Sequence, residues 1–534
     1  MKRKLLTALL CGALMLTSLA GCGQGAANQS GTSAGGESAV KDELVFVNYR
    51  DIRDLNPHLY AGEMYAQSIL YDTLVSNTSE GYVGCLAEDW TISEDGRTYT
   101  FNIRDGVTFS DGTPCDANAI LANFNAILEN RERHTWLEMM NLLVGVSAPD
   151  DDTFVIEMSE PYYPMLTELA CIRPFAMISP NCMIDGSTKD GVNGYIGTGP
   201  YVLTDFVTDE YAVFERNENY WGEKPAIRKI TVKVIPDNQT RIMALENGEI
   251  DLIFGKNMLD ADAISQYVDS DKFTVGLSDP TSTRHIVLNT THDILRDKSV
   301  RQALQHATNR QAISEGIFYG LEPAADTLYS TTVPYCDVAL EPYAYDADEA
   351  ARLLDEAGWT MGSDGIRAKD GQKLALDLLY NSDSVTEKTI SEYLQSEYLK
   401  LGISLNIHGE EEQSYRDNMK AGNFDMVFNI CWGMPYDPQS SLAAMRAPVY
   451  GDYAAQQGLE DKAEIDQAIT DILTSTDETK RQELYTFVLT RLHEDAVYIP
   501  LTFETNKALY TSDLKGVHFG TDQYDVDFAS MYFA

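Results

Sequence analysis

Basic residues are scarce in this chain: 40 Lys and Arg stand against 82 Asp and Glu over 534 residues, a formal net charge of −42. No basic stripe interrupts that excess, which excludes nucleic acid as a partner. Beyond residue 19 no continuous apolar run is long enough to span a bilayer. Histidine is rare, at eight residues, and no pair has metal-site spacing; His493-Glu494 lacks the second histidine of a zinc-protease helix. The cysteines form no CxxC pair, which removes a zinc knuckle. No nucleophile elbow, a Gly-x-Ser-x-Gly run between strand and helix, appears, and no phosphate loop. These absences point away from a hydrolase and toward a chain that binds without turning over.

What is present begins with an address. Lys2-Arg3-Lys4, an apolar run from Leu5 to Leu19 and Leu19-Ala20-Gly21-Cys22 read as a secretory signal over residues 1–21. Cys22 after Leu-Ala-Gly resembles a bacterial lipobox, which makes Cys22 the expected lipidated first residue. Cleavage there removes three basic residues and takes the net charge to −45. Residues 22–43 are rich in Gly, Ser, Ala, Gln and Asn, cannot bury a core, and read as a tether. The expected location is the extracytoplasmic face of the cytoplasmic membrane, held by lipid only. Six further cysteines, Cys85, Cys115, Cys171, Cys182, Cys336 and Cys431, have no pairing that spacing can assign.

About 490 residues follow the tether, enough for two or three domains. No Pro/Ser linker divides them, so the pattern suggests lobes between which the chain crosses more than once. Alternation over Thr98–Ile103 predicts a strand, and Asp-Gly pairs at 95–96, 105–106 and 111–112 predict tight turns. Helices are predicted over Pro114–Glu129, Lys298–Phe318 and Asp346–Glu356, the last with Gly358 as its stop. Strands and helices mixed throughout predict an α/β or α+β protein.

Arginine and tryptophan gather in two short stretches, Asn130-Arg131-Glu132-Arg133-His134-Thr135-Trp136 and Cys171-Ile172-Arg173-Pro174-Phe175. In so acidic a chain, arginines concentrated on a pocket would select a carboxylate-bearing ligand. The runs Leu86-Ala87-Glu88-Asp89-Trp90, Ser93-Glu94-Asp95-Gly96 and Phe109-Ser110-Asp111-Gly112-Thr113-Pro114 resemble the peptide/nickel family of extracellular solute-binding proteins. So do Gly197-Thr198-Gly199-Pro200-Tyr201, Asn217-Glu218-Asn219-Tyr220-Trp221 and Gly248-Glu249-Ile250-Asp251. Within that family the chain looks closest to the nickel-binding proteins of nickel ABC importers, through Leu55–Tyr60, Asn130–Trp136, Arg173–Phe175, Gly409–Glu412, Trp432-Gly433 and Pro435–Pro438. The resemblance implies an α/β, two-lobed periplasmic-binding-protein fold with a hinge and a ligand cleft. Lobe I would hold residues 44–282 plus 506–534, and lobe II 283–505. It implies a monomer, not an enzyme, without a resident cofactor. It would deliver Ni(II) on a small carboxylate chelator such as histidine to an ABC permease and its ATPase.

By the same resemblance, Arg133 and Arg173 are the chelator-binding arginines, and their planar forks suit carboxylates. Trp136, Trp432, Tyr60, Tyr415, Tyr436 and Met64 match pocket positions that supply flat walls and a polarizable thioether. One departure bears on the cargo. The family pattern puts a metal-ligating histidine eighteen positions after the pocket tryptophan, where this chain has Tyr450. Phenol, with a pKa near 10, is a poor nickel donor at neutral pH. His285 and Met434 are the nearby substitutes, and no direct metal ligand is assigned. A di- or oligopeptide carrier is the alternative reading, and a secreted hydrolase the alternative of another class. The acids Glu410, Glu411 and Glu412 read as a solvated face.

Overall fold

A computed structural model describes residues 41–534 apart from 61, 79–80, 256–257, 432–437 and 521–523. Lys41–Ala534 pack as one unit around a ten-stranded mixed sheet. Its order is Tyr201–Val207, Tyr211–Arg216, Lys229–Val234, Glu43–Asn48, Leu252–Phe254, Tyr498–Thr511, Phe273–Leu288, Met426–Cys431, Ala375–Asn381 and Ser404–Glu410. The middle is an antiparallel pair of long strands, Phe273–Leu288 with 16 residues and Tyr498–Thr511 with 14. Strands from residues 43–254 lie on one side of this pair and strands from 375–431 on the other. Each side has its own buried core: Leu44, Phe46, Phe214 and Ile230 on the first, Leu288, Leu378, Met426 and Phe428 on the second. The result is the two-lobed α/β architecture expected from the sequence.

The long strands do not pair evenly. Register shifts fall between Leu277 and Pro280, Pro280 and Ser282, and Arg284 and His285. Pro280 has no N–H to give a ladder and sits where the pairing already breaks. Beside this break four charged side chains are almost fully enclosed. Arg284 bonds Glu504 and lies 3.7 Å from Glu322, while Lys507 Nζ lies 3.2 Å from Glu322.

A second sheet is antiparallel, in the order Ala87–Ile92, Thr98–Ile103, Thr153–Met158 and Leu143–Ser147. The helix Ala117–Glu129 packs on it through Phe124, whose ring lies 4.8 Å from Phe154 and 5.8 Å from Phe175. Asp116 caps this helix by accepting from the Ala119 amide, so it begins three residues after Pro114. The predicted strand Thr98–Ile103 has the predicted limits. The single helix predicted over 298–318 is two, Lys298–Ala307 and Arg310–Ile317. Asn309 caps the second by bonding the Ala312 amide, and a local cap of that kind ends the continuous helix that apolar spacing suggested. Asp346 caps Ala347–Glu356, and Gly358 takes a positive φ after it. The six described cysteines are buried free thiols.

Candidate functional site

Parallel strands in the second half, Ala375–Asn381 with Ser404–Glu410 and with Met426–Cys431, end together at one edge. Side chains beyond strand C-termini are the usual place for a ligand in such sheets. Here they face the Arg133 and Arg173 segments of the first half across a cavity of about 900 Å³. That volume lies in the range of small-molecule sites.

Local packing aims the first-half residues. His134 and Leu137 bury against the core, so Arg133 and Trp136 project outward, Trp136 with 47% of its surface exposed. Arg173 precedes a cis Pro174, and Phe175 anchors the segment in the core. The Arg173 guanidinium donates from Nε to Gln67 Oε1 at 2.6 Å and from Nη2 to the Gly62 carbonyl. Gly62 is constrained: a Cβ there would stand 2.3 Å from the Asp54 carbonyl oxygen. Only glycine lets that carbonyl reach its place. Arg133 has no carboxylate partner among the described residues.

Tyr60 ties the aromatic wall together. Trp136 Nε1–H donates to the Tyr60 oxygen at 2.6 Å, and Tyr60 Oη lies 2.6 Å from His134 Nδ1. His134 Nε2 is buried without a hydrogen-bond partner among the described residues. Burial brings the His134 pKa down to about 4 and that of His58, also buried, to about 3. Both therefore contribute stability that is full above pH 6.5 and is lost as the pH falls, toward about 4 for His134 and about 3 for His58. The expected result is a urea midpoint that drops more steeply between pH 7 and 4.5 in the parent than in His134→Gln. Parallel drops would remove His134 from this account.

From the second half, Tyr415 is buried on the helix Glu412–Ala421 and donates its hydroxyl to the Phe428 carbonyl at 2.6 Å, leaving its ring to the cavity. Tyr450 also lines the cavity, and burial pushes its phenol pKa up. Met64 begins the helix Met64–Leu70 and lines the opposite wall. Trp432, Met434 and Tyr436 lie outside the described residues. His285 does not line the cavity: it sits within the long strand, with Nδ1 3.1 Å from the Thr283 carbonyl and its ring edge-on to Tyr498. Among the described residues no group of three or more His, Cys, Asp or Glu is placed to hold a metal ion.

The structure adds charges to the site, Arg50, Arg416 and Lys420 with Glu63 and Glu387, and brings in Glu412, which the sequence placed on a solvated face. Glu63 accepts from Arg50 and Asn48, and Glu412 from Arg416 and Asn381. Glu412 is thus a pocket residue in an ion pair, whereas Glu411 is exposed as its triplet suggested. Five basic side chains meet three acidic ones in the cavity, a local excess of positive charge in a strongly negative protein. The helical spacing 412, 416, 420 beside Tyr415 carried this signal, since i, i+4 residues share a face.

Two lobes joined by a strand pair, with a basic and aromatic cleft between them, define a solute-binding protein. The chain belongs to the bacterial extracellular solute-binding proteins, family 5, whose model matches residues 81–452. It is 41% identical over 496 residues to the nickel-binding periplasmic protein of Escherichia coli K12, covering 92% of this chain and 94% of that one. It is 44% identical to NikA from Brucella suis, solved in complex with Fe(III)-EDTA, with a TM-score of 0.89 over 92% of this chain and 100% of that one. The periplasmic oligopeptide-binding protein OppA of Salmonella typhimurium is 27% identical over 94% of both chains. The protein is therefore a solute-binding component of an ABC importer and not an enzyme. No helix among the described residues is long and apolar enough to cross a membrane.

Proposed function

We propose that the protein captures a transition metal, nickel foremost, as a complex with a small carboxylate chelator such as histidine and presents it to the permease and its ATPase. The observation that carries this reading is the cavity itself, where Arg133 and Arg173 project beside Trp136, Tyr60, Tyr415 and Met64. Guanidinium forks pair with carboxylates in two parallel hydrogen bonds, which a bare cation cannot use. The relatives support the choice of cargo: one is named for nickel, and another was solved with an iron chelate. In this reading lobe I comprises residues 44–282 with 506–534, lobe II comprises 283–505, and Cys22 holds a monomer to the membrane by lipid. The uneven pairing of the long strands supports a hinge there.

Calorimetric titration with nickel alone and with nickel plus histidine tests the proposal, and only the second should give saturable binding. Tyr450 is read as a neutral wall residue. Forming a phenolate at pH 7 costs about 4 kcal/mol even at an ordinary phenol pKa, and burial adds to that cost. Tyr450→Phe is accordingly expected to bind nickel–histidine within about three-fold of the parent, a difference below about 0.7 kcal/mol. Tyr450→His, which restores an imidazole donor, is expected to bind more tightly. A tyrosinate absorption band in the parent, lost together with binding in Tyr450→Phe, would instead make Tyr450 a ligand of the metal.

A further inference from the structure

Away from the cleft, the two sides of the molecule meet a second time. Tyr163 follows the four-stranded sheet of the first half, and its amide donates to the Leu473 carbonyl of the second half at 3.0 Å. Its hydroxyl donates to Glu478 Oε1 at 2.8 Å and lies 2.9 Å from the Tyr335 hydroxyl. Its ring covers Arg481, whose guanidinium carbon is 3.4 Å from the ring centroid.

Arg481 is an unusual group to find there. It is fully buried, and among the described residues no carboxylate pairs with it. Its charge is met by the Ile472 carbonyl, by Gln439 Oε1 at 3.2 Å and by the faces of Tyr163, Tyr335 and Tyr485. Tyr335 and Tyr485 stack in parallel at 4.8 Å. A buried cation without a counter-ion depends on such faces, and cation–π attraction strengthens when water is excluded. All of these groups except Tyr163 come from the second half. Separating the halves would remove the nearest ring and open the guanidinium to water.

We propose that Tyr163 and Arg481 form a latch that biases the two lobes toward the closed form and so sets ligand affinity from outside the pocket. A ligand that favours closure and a contact that favours closure act on one equilibrium, so each strengthens the other.

Small-angle scattering of the ligand-free full chain tests the latch whatever the cargo is. Tyr163→Ala is expected to have a larger radius of gyration than the parent. Tyr163→Phe, which keeps the ring over Arg481 and loses the hydroxyl bonds, should fall between the two. Stopped-flow release of nickel–histidine should be at least ten-fold faster from Tyr163→Ala. Circular dichroism of each variant establishes that it is folded. Superimposable ligand-free scattering curves for parent and folded Tyr163→Ala overturn the latch. If nickel–histidine fails to bind the parent, the reading of the cargo fails and the scattering comparison still decides the latch.

Discussion

Arg173→Ala is expected to weaken binding of a nickel–histidine complex ten-fold or more while leaving the fold intact. The guanidinium is held in place by Gln67 and the Gly62 carbonyl, so it needs no reorganisation to meet a ligand carboxylate. A charge-assisted hydrogen bond contributes about 1.5–3 kcal/mol, and about 1.4 kcal/mol is a factor of ten. Arg173→Lys should recover little, because a single ammonium cannot offer the two parallel donors of the fork. Titration calorimetry with nickel–histidine and with nickel alone reads the effect. Equal binding of bare nickel, unchanged in Arg173→Ala, would mean that the metal adheres to the acidic surface and that a peptide is the better candidate for cargo.

The second large effect is expected at the long strand pair, on stability. Arg284 bonds Glu504 and neighbours Glu322 in a place where all three are nearly enclosed. Removing one partner of a buried pair leaves an uncompensated charge and costs about 3–5 kcal/mol. Arg284→Ala should lower the urea-unfolding free energy by that amount. Arg284→Met combined with Glu504→Gln, which removes both charges, should recover most of it, because Lys507 still balances Glu322. A loss below about 1 kcal/mol in Arg284→Ala would show that water already reaches the network. Glu387, which lines the cavity, has its pKa raised by burial, an effect that Arg284 offsets in part. Arg284 is thus electrostatically in touch with the pocket.

Much of this site was legible because it is written in short segments. Asn130–Trp136 places Arg133 and Trp136 on one turn, and the burial of His134 and Leu137 beside them is a local matter of apolar spacing. The family match rests on runs of four to six residues of the same kind. The charges on the facing helix were less visible, since Glu412 in a run of three acids looks like any solvated surface. Only the edge of the parallel strands turns its side toward a cavity. His285 shows the converse. It stood as a nearby substitute for the missing donor, yet strand pairing turns it into the interior. Arg284 itself is engaged by Glu504.

By itself the sequence determined the α/β class, the strand Thr98–Ile103, the capped helices and the family to which the chain belongs. Each of these follows from period, composition or contiguous motif, which survive without knowledge of contacts. Only the tertiary structure decided which charges share the cavity, that Tyr60 links Trp136 to a neutral His134, and that Tyr163 closes over Arg481. Those pairings join residues 74 to more than 300 positions apart. No local pattern encodes such a distance; the sheet order and the packing of the two halves set it.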